Sequence, residues 1–235
     1  MKTMCFSIAV IFVLLTQVST PPSSDAVPAE YLADATEQLT GHRAHMTNEI
    51  HLLAGTSLVA GPAFTMRIVR NETASRSVEG LVAIKAMETI PEGSVVVAAL
   101  DDEKDFAVFG ATFAVLAKSR NLAGFVIDGS VRSLPALQRM EFLTFARGTV
   151  PGSAGGHYRL DGLNVPIFCG GITVKPGDFV VADADGVAVA PKERYDEVLP
   201  LAKKMQREDQ AVLPLIEKYH SFTKAWQERN AAKQP

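Results

Sequence analysis

Apolar and polar positions change rhythm several times along the chain, and each rhythm predicts an element. Tyr31, Leu32, Ala35 and Leu39 fall on one face of a helix. A polar stretch follows and reads as a second helix or a loop through Ile50 to Leu53. Gly61-Pro62-Ala63 opens an extended run, and the alternation in Phe64-Thr65-Met66-Arg67-Ile68-Val69 is that of a half-buried strand. Leu81 to Met87 predicts a helix, and Pro91-Glu92-Gly93 a turn. Ser94 to Leu100 is a nearly unbroken Val and Ala run, as expected of a strand covered on both faces. An acidic loop, Asp101-Asp102-Glu103-Lys104-Asp105, separates it from a helix that begins close to Gly110 and runs through Ala117.

Gly124-Phe125-Val126-Ile127 is a further short strand, closed by a turn at Asp128-Gly129, and Leu134 to Met140 is a helix that tolerates Pro135 in its first turn. This strand-helix-strand order argues for an α/β core with some parallel pairing. In the second half, Thr144-Phe145-Ala146 and Val165-Pro166-Ile167-Phe168 read as strands separated by a Gly-rich loop from Pro151 to Gly156. Phe179-Val180-Val181-Ala182 and Val187-Ala188-Val189-Ala190 flank Asp183-Ala184-Asp185-Gly186, a hairpin signal because Asp-Gly supplies the positive-φ position. Pro191 ends the hairpin. From Tyr195 to Trp226 the pattern is helical and highly charged, with an interruption expected at Pro214.

Composition narrows the function classes. Hydrophobic residues fill 47% of the 235 positions, enough for one large domain or two small ones with a well-packed core. The formal net charge of −3 leaves no excess of Lys and Arg to neutralise a phosphate backbone, which argues against nucleic acid as a partner. Lys2 is the only charge before Asp25, and Met4 to Val18 is apolar except for Ser7, Thr16 and Gln17. A bilayer-spanning helix needs about 20 apolar residues. The shorter run here leads into Ser19-Thr20-Pro21-Pro22-Ser23-Ser24, so residues 1–26 read as a signal peptide and the chain as exported, periplasmic or secreted. An uncleaved N-terminal membrane anchor is the alternative. Of the two cysteines, Cys5 would leave with the signal, and Cys169 alone cannot form an internal disulfide.

Several segments, taken in order, resemble one family. They are Gly61-Pro62-Ala63-Phe64-Thr65, Phe109-Gly110 before an Ala-rich helix, the run from Gly124 through Ile127-Asp128-Gly129-Ser130-Val131-Arg132, and Val174-Lys175-Pro176-Gly177-Asp178 through Asp183 with Asp185-Gly186-Val187. The set is similar to the landmarks of the RraA-like family, shared by the 4-hydroxy-4-methyl-2-oxoglutarate aldolases and the regulators of ribonuclease activity A. The likeness covers roughly Tyr31 to Leu213. It implies a swivelling β/β/α-type α/β domain over residues 27–235, with mixed sheet layers and a C-terminal helix from about Tyr195, assembled as a homotrimer or a multiple of it. It also implies one of two roles. Enzyme members cleave 4-hydroxy-2-oxo dicarboxylic acids to pyruvate, and many decarboxylate oxaloacetate; other members act by binding a ribonuclease.

Cleavage that releases pyruvate needs the 2-oxo acid held by its carboxylate and the enolate oxygen stabilised. A helix start and an arginine meet those needs. Backbone N–H groups at Gly110, Ala111, Thr112 and Phe113 are free in the first turn, and the dipole favours an anion there. Arg132, after a buried strand, can reach a cleft at the sheet's end and grip a carboxylate bidentately. In the resembling enzymes the residues matching Gly110 to Phe113 and Arg132 bind substrate. Read without the family, Gly110 is equally a glycine that relieves helix packing, and Arg132 a helix cap or the partner of a carboxylate such as Asp105.

The divalent metal that the resemblance implies, Mg2+ or Mn2+, meets a departure. Where the enzymes carry an aspartate after the arginine and an acidic residue after the helix-start glycine, this chain has Ser133 and Ala111, and neither supplies the charged oxygen that a hard cation prefers. Asp101, Asp102, Glu103 and Asp105 are candidate replacements, or else a solvated loop. Glu208 matches a carboxylate that enzyme members extend toward a neighbouring protomer's site. His42, His45 and His51 suit a polar surface better than a metal site, and His157 sits in a glycine loop able to close over a ligand. Two function classes follow: a pyruvate-releasing lyase on small oxo-dicarboxylates, or a non-catalytic RraA-like binding protein that has lost its metal.

Overall fold

The structure, a computed structural model, describes residues 26–56, 58–71, 73, 75–100 and 105–231. The expected signal segment therefore lies outside the described residues, save Ala26, as do Asp101, Asp102 and Glu103 of the acidic loop. Among the described residues no helix is long and apolar enough to cross a membrane.

A parallel core gives the fold its direction. Strands β2 (Val59–Arg70), β3 (Val95–Leu100), β5 (Gly124–Val131) and β6 (Thr144–Thr149) pair in parallel in the order β2-β3-β5-β6. Helices α2 (Arg76–Met87), α3 (Ala111–Ser119) and α4 (Leu134–Arg139) make the crossovers, and the short strand β4 (Ala107–Phe109) adds alongside β5. Antiparallel strands complete the sheet: β1 (His51–Ala54) on β6, β7 (Tyr158–Leu163) and β10 (Phe179–Asp183) on β2, and β11 (Gly186–Ala190) on β10. The segment after α1 (Ala29–Thr40) runs along the free edge of β11, where Met46 N donates to Val187 O at 2.9 Å, so the mixed sheet is nearly closed.

The alternation of β3 explains why its sequence is apolar throughout. Val95, Val97 and Ala99 point into an interior cluster with Val126, Phe145, Val180 and Val189, plugged by Ile167, Cys169, Ile172 and Val174 of the hairpin β8 (Ile167–Cys169) and β9 (Ile172–Val174). Val96, Ala98 and Leu100 point the other way, onto Met87, Ala114 and Ala117 of the crossover helices. Each buried Val stabilises the fold by roughly 1.5–3 kcal/mol before conformational entropy is counted. A third cluster forms outside β10 and β11, where Phe179, Val181, Ala188 and Ala190 meet Leu32 and Ala35 of α1 and Tyr195, Val198 and Ala202 of α5 (Tyr195–Tyr219).

Four expectations need correction. The polar stretch after α1 is irregular as far as Ile50, but His51 to Ala54 is neither helix nor loop, because β6 captures it as an edge strand. Asp128-Gly129 is not a turn: β5 continues to Val131, with its ladder to β6 irregular between Ile127 and Ser130. Strands β4 and β7 were not foreseen, since their pairing is non-local. Finally, α5 passes through Pro200 and Pro214 and stops only at His220, which is left-handed at φ 51°, before α6 (Phe222–Ala231). Both prolines lie on the exposed side, so the carbonyls they leave unpaired face water while the buried side packs on α1.

Candidate active site

The start of α3 and the end of β5 meet at one edge of the parallel core. Phe109 ends β4, and its ring packs on Phe113 of α3 and Phe125 of β5 with centroids 5.0 and 4.9 Å away. This aromatic contact fixes where the helix begins. Gly110 is its N-cap, in extended conformation, and no side chain caps the helix, so the first-turn N–H groups keep their donor capacity. The Arg132 N–H donates to the Phe109 carbonyl at 3.0 Å, which pins the end of β5 against the helix start.

Gly110, Ala111, Thr112, Phe113, Arg132 and Ser133 all line one cleft of about 590 Å³. Its other walls are Met66 and Ile68 of β2, Glu79, Gly80, Ala83 and Ile84 of α2, the loop at Ser153 to Gly155, and Tyr158, Arg159 and Leu160 of β7. The residues expected from the sequence thus form one wall, and nothing in the sequence marks the others. Gly80 offered no motif, and β7 was not recognised as a strand. Arg132 is exposed, and among the described residues its side chain has no partner; in particular it does not pair with Asp105. Arg159, the cleft's second guanidinium, reaches Asp161 at 2.7 Å.

Other expected residues lie elsewhere. His157 packs at a tilt on Phe106, ring centroids 4.4 Å apart, and does not line the cleft. His45 pairs with Glu37 at 2.9 Å, and the His51 ring contacts the Glu49 carbonyl at 2.9 Å. Glu208, on α5, accepts a hydrogen bond at its carbonyl from Arg229 of α6 and does not line its own chain's cleft. Cys169 is fully buried, and burial pushes its thiol well above the usual range, so it is a neutral packing group.

The donor set for a metal does not fit. Ser133 is left-handed at φ 62°, where its carbonyl accepts the Ala136 and Leu137 N–H groups at 2.9 and 3.1 Å, and its side chain carries no charge. Ala111 has no side-chain oxygen to offer. Among the described residues, the cleft's carboxylate is Glu79, and no group of three His, Cys, Asp or Glu is arranged to hold an ion.

On the sheet's opposite side, the sequence reading also missed a network around Asp128. Its carboxylate pairs with Arg147 of β6 and accepts the Gly170 N–H at 2.6 Å, while Arg147 pairs also with Glu49.

A nearly closed mixed sheet with crossover helices on one face and a cleft at their N-terminal ends defines the swivelling β/β/α class. The RraA-like family model, described as Aldolase/RraA, matches residues 29–189, and the chain belongs to that family. A protein of Halalkalibacterium halodurans provisionally named a 4-hydroxy-4-methyl-2-oxoglutarate aldolase is 36% identical over 79% of this chain and 82% of its own. Among solved structures, Streptomyces coelicolor RraAS2, titled an unusual member of the RNase ES inhibitor RraA family, is 25% identical, with a TM-score of 0.71 over 79% of this chain and 92% of its own. An uncharacterized Pseudomonas syringae protein shares the fold at a TM-score of 0.76 and 24% identity, over 86% and 93% of the two chains.

Proposed function

We propose that the protein is a carbon–carbon lyase that releases pyruvate from a small 4-hydroxy-2-oxo dicarboxylic acid or from oxaloacetate. The observation that carries this reading is Arg132, which has no side-chain partner among the described residues, beside the start of α3 in one cleft. An α-oxo carboxylate suits that pair, because the guanidinium fork can take the carboxylate while the N–H groups of Ala111 to Phe113 stabilise charge on the enolate oxygen. Arg159 on β7 offers a cation for the distal carboxylate. No step is routed through a metal, since Ala111 and Ser133 bring no carboxylate.

The family resemblance further supports a homotrimer or a multiple of it, with Glu208 as a candidate contribution to a neighbouring copy. Export by the N-terminal segment belongs to the same proposal. The missing carboxylates favour a second reading, a binding protein that holds a small carboxylate without turning it over. One experiment separates them: oxalate binding by calorimetry beside pyruvate release from oxaloacetate and 4-hydroxy-4-methyl-2-oxoglutarate. Binding with turnover is expected. Binding without turnover selects the second reading, and no binding overturns both.

A further inference from the structure

We infer that Glu79 is the proton-transfer residue of this cleft, accepting the hydroxyl proton of the substrate and returning a proton to the pyruvate enolate. The inference rests on the lyase reading of the same site.

The reaction sets the requirement. In a 4-hydroxy-2-oxo acid the proton on the C4 hydroxyl leaves, the C3–C4 bond breaks, and its electron pair passes into a C2–C3 enolate with charge on the C2 oxygen. C4 becomes a carbonyl. The enolate then takes a proton at C3 and becomes pyruvate. One group that first accepts and then donates a proton balances the sequence, with no oxidant or second reactant. In oxaloacetate the C3–C4 pair enters the enolate as carbon dioxide leaves, and only the protonation at C3 remains.

Few residues in the cleft can serve. Arg132 and Arg159 bring guanidinium groups, which offer donors and no acceptor. The hydroxyls of Thr112, Ser133 and Ser153 are not bases near neutrality, and a tyrosine such as Tyr158 ordinarily ionises only near pH 10. No histidine lines the cleft among the described residues. Glu79 does, from the first turn of α2, half-buried.

Its surroundings point the same way. Among the described residues neither Glu79 nor Arg132 has a side-chain partner, although both line the same cleft. Opposite charges in one cleft that do not pair with each other leave room for a ligand between them. A first-turn glutamate also complements its own helix dipole, but that role asks only for a negative charge at the helix start. Placement in the wall of a cleft that also holds Arg132 is an additional property, and it is the one a base requires.

The test uses the full chain and its Glu79→Gln and Glu79→Asp variants. Removing a positioned general base is expected to lower kcat by about 10²- to 10⁴-fold. Glu79→Gln should show that loss while binding oxalate within about twofold of the parent, because Arg132 and the helix start are intact. Exchange of the pyruvate methyl protons with D2O, followed by NMR, isolates the enolate step. It should proceed in the parent, vanish in Glu79→Gln and return in part in Glu79→Asp. A Glu79→Gln variant that keeps both turnover and exchange overturns the inference and leaves the lyase reading standing. One that loses oxalate binding together with turnover also overturns it, since Glu79 would then shape the site and not transfer protons. A parent chain that neither turns over substrate nor exchanges pyruvate protons removes the lyase reading itself.

Discussion

Gly110 and Arg132 interlock at the mouth of the cleft. A Cβ built on Gly110 would stand 3.0 Å from Arg132 Cγ and 3.3 Å from the Arg132 carbonyl oxygen. The space that glycine leaves open is therefore filled by the arginine's own backbone and stem, and not reserved wholly for a ligand. Gly110 has an ordinary extended φ, so the demand is for room and not for unusual backbone geometry. Gly110→Ala should cost about 1–3 kcal/mol through overpacking and weaken oxalate binding by displacing Arg132. Thermal denaturation and calorimetry on the same variant read the two effects.

In the proposed lyase, Arg132 holds the substrate carboxylate through its planar fork. Arg132→Ala removes a charge-assisted hydrogen bond worth about 1.5–3 kcal/mol, or roughly 10- to 100-fold in oxalate affinity. Arg132→Lys keeps the charge without the fork and should fall between the two. Equal affinity for the parent and the alanine variant would place the carboxylate elsewhere.

Ser133 already occupies a left-handed backbone position that aspartate tolerates well. The double variant Ala111→Asp, Ser133→Asp should consequently fold normally and bind Mn2+ at least about tenfold more tightly, because two hard anionic ligands have been added. Titration followed by the Mn2+ electron paramagnetic resonance signal measures this. No gain would mean that these two positions do not face a common ion.

The Asp128 network should matter to stability. Its carboxylate joins Arg147 and the Gly170 N–H, so Asp128→Asn leaves Arg147 with Glu49 alone and removes one anionic acceptor. The group is neither fully buried nor free in solvent, and a loss of about 2 kcal/mol lies between the limits for exposed and buried pairs. Urea denaturation gives the value.

Asp161 carries the pH dependence most open to test. Hydrogen bonds from Arg67 first, and then from Arg159, hold its carboxyl below the usual carboxylate range. A depressed folded-state pKa contributes stability that is present above the unfolded value and is lost as pH falls through the folded one. The β2–β7 pairing should therefore loosen on acidification, by a small amount because the group is solvent-exposed. An NMR titration of the Asp161 side chain checks the direction, and an unshifted carboxyl would contradict it.

Much of this architecture was legible in the sequence because local rhythm and burial agree. β3 is apolar on both faces and was read so, and the Asp185-Gly186 turn announced its hairpin. The helix start at Gly110 and the arginine after β5 were legible through the family landmarks. What escaped depends on distant partners. β7 exists because β2 offers it an edge: Tyr158 and Leu160 alternate with Arg159 and Asp161, but the alternation is too short before Gly162 to mark a strand without its partner. The α2 wall, Glu79 included, escaped because nothing in residues 76–80 marks a site until the crossover brings it to the cleft that Gly110 also lines. Pro214 misled because a helix packed on one side can carry a proline on the other.

The outer face of β10 and β11 is covered from beyond the shared family domain. The family match stops at residue 189, yet Tyr195, Val198 and Ala202 beyond it cover Phe179 and Val181. An expression boundary drawn where the family match ends would strip that cover and leave an apolar sheet face in water, a surface that favours precipitation. For anyone preparing the protein, the first turns of α5 belong to the folding unit, whatever length the shared family domain suggests.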